Sequence, residues 1–228
     1  MARLWKVTLN DRFCKQKGGR VPVPIKWIFF DVGSTLVDET AAYDHRAREM
    51  LQGTEISFRE FDSKRKELAA RGFDGNSEAI KFFGLKKTPW HSEDEVLFPD
   101  TAETLAELKR RGYHLGIVAN QPLGTEKRLD TRGILKYFDV IAASAEMGVA
   151  KPDARIFQSA LEMARCQPSE AVMVGDRLDN DMIPAKSLGM KTAWIRKGTA
   201  IYQDRACGEK TADWIVNSLG DLLNIFMG

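Results

Sequence analysis

What this 228-residue sequence lacks narrows its class before any motif is read. No apolar run approaches the roughly 18 residues of a membrane span, and the N-terminus has no apolar stretch of the secretory kind, so a cytoplasmic protein without a membrane partner is expected. Cysteine is scarce and odd in number. Cys14, Cys166 and Cys207 are scattered, which gives neither a disulfide framework nor metal-ligand spacing and suits a reducing compartment. A strong excess of one charge is missing too. Of 34 basic and 32 acidic residues, six and one fall within residues 1–24, so the remainder holds 28 against 31, a net of −3. A mildly acidic body is a poor surface for nucleic acid, and none is expected as a partner. The basic head reads as a solvated tail.

With 43% apolar residues, the chain suits one main core carrying an insertion. Gly18-Gly19, Pro22 and Pro24 punctuate the N-terminal extension of residues 1–24, within which Trp5, Val7 and Leu9 alternate with Lys6 and Thr8 as a short edge strand would. Ile25 to Phe30 then form an apolar run ending in Asp31, a buried-strand pattern. After residue 100 the alternation is regular. A helix is predicted over 101–111, capped by Asp100 and Glu103 and stopped at Gly112. It is followed by strands at 115–119 and near Val140, a helix over 153–165, a strand at 171–174, a helix over about 180–188, strands at 191–195 and 214–216, and a closing helix through Phe226. Near-continuous apolar strands alternating with helices predict a doubly wound α/β domain with a parallel, Rossmann-like sheet, built from 25–37 and 98–228. Residues 38–97 break the rhythm, being polar and helical with no convincing strand. Ser57 and Glu60 make a capping box for a helix bearing Phe58, Phe61 and Leu68. This segment is expected to be a small helical cap lying over the strand ends, with Phe82, Phe83, Trp90 and His91 mostly in its own core, the alternative being the lining of a substrate pocket.

Asp31, Asn120 and Asp176 each follow an apolar strand, and ligands of open parallel sheets bind beyond the strands' carboxyl ends. Clustered carboxylates repel one another, and a hard cation such as Mg²⁺ resolves this. An Asp carboxylate also serves as a covalent nucleophile, and a lysine is needed to balance the phosphoryl charge. Lys151, in the loop before the 153–165 helix, stands in the right place in the series.

The segments FFDVGSTL (29–36), LGIVANQ (115–121), GVAKPDARIF (148–157) and VGDRLDNDMIPAKSLGM (174–190) resemble, in order and spacing, the four signature motifs of the haloacid dehalogenase-like (HAD) superfamily. The insertion is similar to the helical cap of the subgroup that includes phosphoglycolate phosphatase, β-phosphoglucomutase and the haloacid dehalogenases. The resemblance implies Asp31 as nucleophile and metal ligand, and the Gly33 carbonyl, Asp176 and Asp181 as further positions around Mg²⁺. It implies Lys151 as the bridge between nucleophile and phosphate, and a small phosphorylated metabolite as substrate.

Two departures stand out. The superfamily's phosphatases usually carry a second Asp, a general acid and base, where this chain has Gly33, and a Ser or Thr where it has Ala119. Asn120 is left to offer an amide to phosphate. A missing acid is expected to slow turnover, unless Asp38, Glu39 or His45 supplies one, and Gly33→Asp is expected to raise it. A degenerate member that binds a phosphorylated ligand or a protein is the alternative. Dehalogenation is disfavoured by the DVGSTL form, and none of Lys64, Lys66, Lys81, Lys86 and Lys87 is singled out for phosphonatase-type imine chemistry.

Overall fold

The computed structural model describes residues 24–227. The basic extension and its expected edge strand therefore lie outside the described residues. The strands are β1 (Trp27–Phe30), β2 (Val37–Asp38), β3 (Val96–Leu97), β4 (His114–Ala119), β5 (Val140–Ala143), β6 (Ala171–Gly175), β7 (Lys191–Ile195) and β8 (Trp214–Val216). Six of them form one sheet in the order β5-β4-β1-β6-β7-β8, with every pair parallel. The helices are α1 (Thr40–Met50), α2 (Phe58–Ala70), α3 (Gly75–Phe82), α4 (Thr101–Arg110), α5 (Thr125–Thr131), α6 (Ser144–Met147), α7 (Ala154–Ala164), α8 (Ile183–Ser187), α9 (Arg205–Thr211) and α10 (Leu222–Ile225). Among the described residues, no helix is long and apolar enough to cross a membrane.

The near-continuous apolar strands are explained by two cores, one on each face of the sheet. Ile28 and Phe30 of β1 pack with Leu105 and Leu108 of α4 and Leu129 of α5, whereas Trp27 and Phe29 face Ile156, Phe157 and Ala160 of α7. Successive side chains of a strand alternate between faces, so a strand covered on both sides must be apolar at every position. Gly116 in β4 leaves room for one of these side chains: a Cβ there would lie 2.5 Å from the Phe29 ring.

Between β2 and β3, α1 to α3 gather around Ala47, Met50, Phe61, Ala79 and Ile80, an apolar cluster separate from the two sheet cores. The Ser57 hydroxyl accepts the Glu60 N–H at 3.2 Å and opens α2 as its sequence suggested. The antiparallel pairing of β2 with β3 corrects the strand-free reading of this segment. With two residues each, neither strand is long enough to show a period.

Two further expectations are corrected. Asp100 precedes α4 but does not cap it, because its carboxylate accepts from Lys197 at 3.2 Å and from the Gly220 N–H at 3.1 Å. The stretch expected as a helix over 180–188 begins as a π-helical turn, Leu178–Met182, before α8. The closing helix expected through Phe226 is present as the four-residue α10. Nor are the aromatics of the segment uniformly core: Phe83 packs against the α1–α3 cluster, while Phe82 is 62% exposed.

Candidate active site

β4, β1 and β6 are neighbours in the sheet, so their carboxyl ends deliver Asn120, Asp31 and Asp176 side by side. The Asp31 N–H donates to Val174 O at 2.9 Å, carrying the parallel ladder one residue past β1 and fixing where that carboxylate emerges. Asp181 arrives from the π-helical turn, a distortion frequent at functional sites. Its place depends on Gly175, where a Cβ would meet Asp181 Oδ2 at 2.3 Å. The Arg177 N–H donates to that same oxygen at 3.0 Å.

The carboxylate oxygens of Asp31, Asp176 and Asp181 come within 4.8 Å of one another. Lys151 Nζ lies 2.8 Å from Asp31 Oδ1 and 2.6 Å from Asp181 Oδ1, with the lysine and Asp181 side chains at 1% and 0% exposure. The Asn120 amide holds the backbone of Lys151 from both ends: its oxygen accepts the Lys151 N–H at 2.7 Å and its nitrogen donates to Lys151 O at 2.9 Å. One amide N–H of Asn120 remains for a ligand.

Three carboxylates against one ammonium leave this centre too negative. Burial, then Asp181 and Asp31, hold the Asp176 carboxyl well above its ordinary range. Burial alone works against the charge on Lys151, but Asp181 and Asp31 outweigh it and its pKa rises. A hard cation with oxygen ligands relieves such a cluster, and the donor set fits Mg²⁺.

Of the three acids considered for the missing role, one stands at the centre. Asp38 accepts the Thr40 N–H at 2.9 Å, at the start of α1. His45 is held by Asp94 at 2.7 Å and stacked on His91, with centroids 3.8 Å apart and planes within 11°. His45, Glu49 and His91 form a second potential ligand group. Parallel rings stacked face to face cannot both aim their in-plane lone pairs at one ion, however, so charge pairing accounts for this group better than a metal does. Glu39 is different. A Cβ built on Gly33 would lie 2.5 and 2.6 Å from the two Glu39 carboxylate oxygens. The Glu39 carboxyl therefore fills the space of a side chain at position 33, and Gly33→Asp cannot simply restore a group to an empty place. Burial, then Asp31 and Glu95, push the Glu39 carboxyl up to about 8, against Arg132 and a Ser34 hydrogen bond.

Glu39 also lines a cleft of about 460 Å³ between α1, α3 and the loop after β4, together with Tyr43, Arg46, Trp90, Asn120 and Gln121. Trp90, for which the core is the first expectation and a pocket lining the alternative, faces this cleft and donates its indole N–H to Glu95 at 2.6 Å. Arg177 ties the end of β6 to the start of α3 through Asp74 at 2.9 Å. Sequence reasoning passed over Arg46 and Arg177; the only signal available for either was charge beside a motif or on a helix face.

A family model described as haloacid dehalogenase-like hydrolase matches residues 25–189. The chain belongs to the haloacid dehalogenase-like hydrolases. Within the family it is 31% identical to glyceraldehyde 3-phosphate phosphatase of Methanocaldococcus jannaschii over 223 residues, 88% of this chain and 96% of the relative. It is 33% identical to ribulose-1,5-bisphosphate 5-phosphatase of Halopiger xanaduensis over 138 residues, 58% of each chain. The crystal structure of a HAD phosphatase from Thermococcus onnurineus is similar with a TM-score of 0.63 at 31% identity, covering 90% of this chain and 99% of that one.

Proposed function

We propose that this family member is a phosphatase of small phosphorylated metabolites, with Asp31 as nucleophile and Glu39 in the acid–base role that position 33 cannot fill. The observation that carries the reading is the Lys151 ammonium clamped between Asp31 and Asp181 beside buried Asp176. The names of relatives such as the Methanocaldococcus enzyme point the same way. Asp31, Asp176 and Asp181, with the Gly33 carbonyl, would hold Mg²⁺, which when bound neutralises charge on the phosphoryl oxygens.

The chain's own groups account for the remaining steps. Lys151 engages Asp31 Oδ1, while Oδ2 has no hydrogen-bond donor among the described residues and is free to attack phosphorus. As the Asp31 oxygen–phosphorus bond forms, the ester oxygen–phosphorus bond breaks, and the departing alkoxide takes the Glu39 proton. Water then attacks the aspartyl-phosphate and gives its proton to Glu39, releasing phosphate and restoring both carboxyl groups. Asn120 positions Lys151 through its backbone. Residues 38–97 act as a cap that shields the intermediate from bulk water. A carboxyl already standing in the space above Gly33 removes the main argument for a merely binding, degenerate protein.

The test is phosphate release from a panel of phosphorylated metabolites with and without Mg²⁺, for wild type and Asp31→Asn side by side. Release that requires both Mg²⁺ and Asp31 is expected. Release surviving in Asp31→Asn, or none from any ester, sinks the proposal.

A further inference from the structure

Glu39, just before α1, and Tyr43, Arg46 and Met50 along it recur at helical spacing and present one face to the cleft. Within that face Arg46 is anomalous. The other arginines nearby have polar partners: Arg65 pairs with Asp44 and Asp62, Arg132 with Glu95, and Arg177 with Asp74, while Arg128, which lines the same cleft, donates to the Leu123 and Pro122 carbonyls. Among the described residues, no carboxylate lies within 4.0 Å of Arg46, and its Nε is sealed from solvent without a hydrogen-bond partner. Its guanidinium rests 5.7 Å from the centroid of the Trp90 ring, a contact that orients the fork but gives Nε no hydrogen-bond partner. Lys87 lines the same cleft and also lacks an ion-pair partner among the described residues. Glu95 cannot serve either cation, being taken by Trp90 and Arg132.

A donor such as Nε sealed from water without a partner is costly, and a planar five-donor fork suits the oxygens of a carboxylate or phosphate. Seven residues of helix separate Glu39 from Arg46, about 10 Å of axis. Helical side chains lean toward the N-terminus, which brings the Arg46 fork back toward the Glu39 end. A short carbon chain spans what is left.

We infer that Arg46, supported by Lys87, forms a subsite for a second anionic group, so that the substrate is a phosphomonoester that also bears a carboxylate or a second phosphate. The inference rests on the phosphatase reading for the first phosphate but has its own readout.

The experiment compares three esters, glyceraldehyde 3-phosphate (uncharged at its far end), 3-phosphoglycerate (carboxylate) and ribulose 1,5-bisphosphate (second phosphate), on wild type and Arg46→Met. Methionine keeps an apolar stem over Trp90 and removes the fork; Arg46→Gln serves if the methionine variant does not fold. Charged hydrogen bonds of this kind predict a roughly 10- to 100-fold loss of kcat/KM on the doubly anionic esters, and a much smaller loss on glyceraldehyde 3-phosphate. Which of the two anionic esters loses more identifies the second group. An equal loss on all three, or a wild-type preference for the uncharged ester, overturns the subsite. Binding is read in parallel as the thermal shift that each ester gives Asp31→Asn, with and without Arg46→Met. If nothing is hydrolysed yet the doubly anionic esters still give an Arg46-dependent shift, the phosphatase reading fails and the subsite stands. If no such shift appears, the subsite fails as well.

Discussion

The relation between Gly33 and Glu39 makes a prediction opposite to the one that motif comparison suggests. Gly33→Asp supplies the carboxylate usual in the superfamily, but its Cβ would meet Glu39 oxygens at 2.5 and 2.6 Å, closer than real Cβ atoms approach anything. Glu39 must therefore swing away, and two carboxyl groups are left competing beside Asp31. At about 4 Å and an effective dielectric near 20, a like-charge pair costs on the order of 4 kcal/mol when both are ionised. Burial already favours a protonated Glu39, so an actual loss of about 2 kcal/mol is expected, or roughly 4–8 °C in a domain of this size. Turnover of Gly33→Asp on an alkyl phosphate should fall below wild type. Glu39→Gln should fall by about 10²–10⁴-fold on the same ester, and far less on an aryl phosphate whose leaving group needs no proton. The double variant Gly33→Asp/Glu39→Ala gives the new carboxylate its space and should exceed both single variants. The assay is steady-state phosphate release at saturating Mg²⁺ from paired alkyl and aryl esters, with folding checked by thermal melts. A faster Gly33→Asp with Glu39 in place, or a Glu39→Gln within two-fold of wild type on the alkyl ester, refutes the reasoning.

Other consequences follow from the charges of the centre. Lys151→Met strands the buried Asp181 carboxylate without its counter-ion, and should cost about 3–5 kcal/mol in denaturant unfolding of the metal-free protein along with all measurable turnover. A variant as stable as wild type would show that the clamp is not made in solution. The raised Glu39 carboxyl gives a pH signature in chelator. Its folded-state pKa of about 8 lies above the ordinary 4.5, so its proton adds stability that is fully present below pH 4.5 and is lost as pH rises through 8. Metal-free wild type should therefore lose up to a few kcal/mol relative to Glu39→Gln between pH 4.5 and 8, seen as converging or crossing melting curves. Parallel curves would mean that the carboxyl is solvated.

How far the sequence disclosed this molecule depended on whether each feature was local. The sheet was legible because strands buried on both faces are apolar at every position, and Asp31, Asn120 and Asp176 were legible because each interrupts such a run at its end. Asp181 and Lys151 were not readable that way. Lys151 sits in a loop and was marked only by its place in the series and the need for a positive charge, while Asp181, on a π-helical turn, was marked by the motif resemblance alone, although they form the most buried ion pair of the centre. Asp100 shows the converse failure. Its spacing to Glu103 is a capping pattern, yet its carboxylate is drawn to Lys197 and Gly220, about a hundred residues away along the chain, and no window of sequence contains that competition.

Gly33 shows why an absent motif residue does not by itself mean an absent group. The chain after Asp31 turns back sharply, with the N–H groups of Thr35, Leu36 and Val37 all directed at Val32 O, and the turn returns Glu39 to the space beside Gly33. Read in order, the sequence has lost a carboxylate at one position and carries an unremarkable glutamate six residues on. In space the two are linked: the Glu39 carboxyl stands where a side chain at 33 would, and has to move aside if one is introduced. Selection on either position would therefore act through the other, and neither substitution can be judged alone.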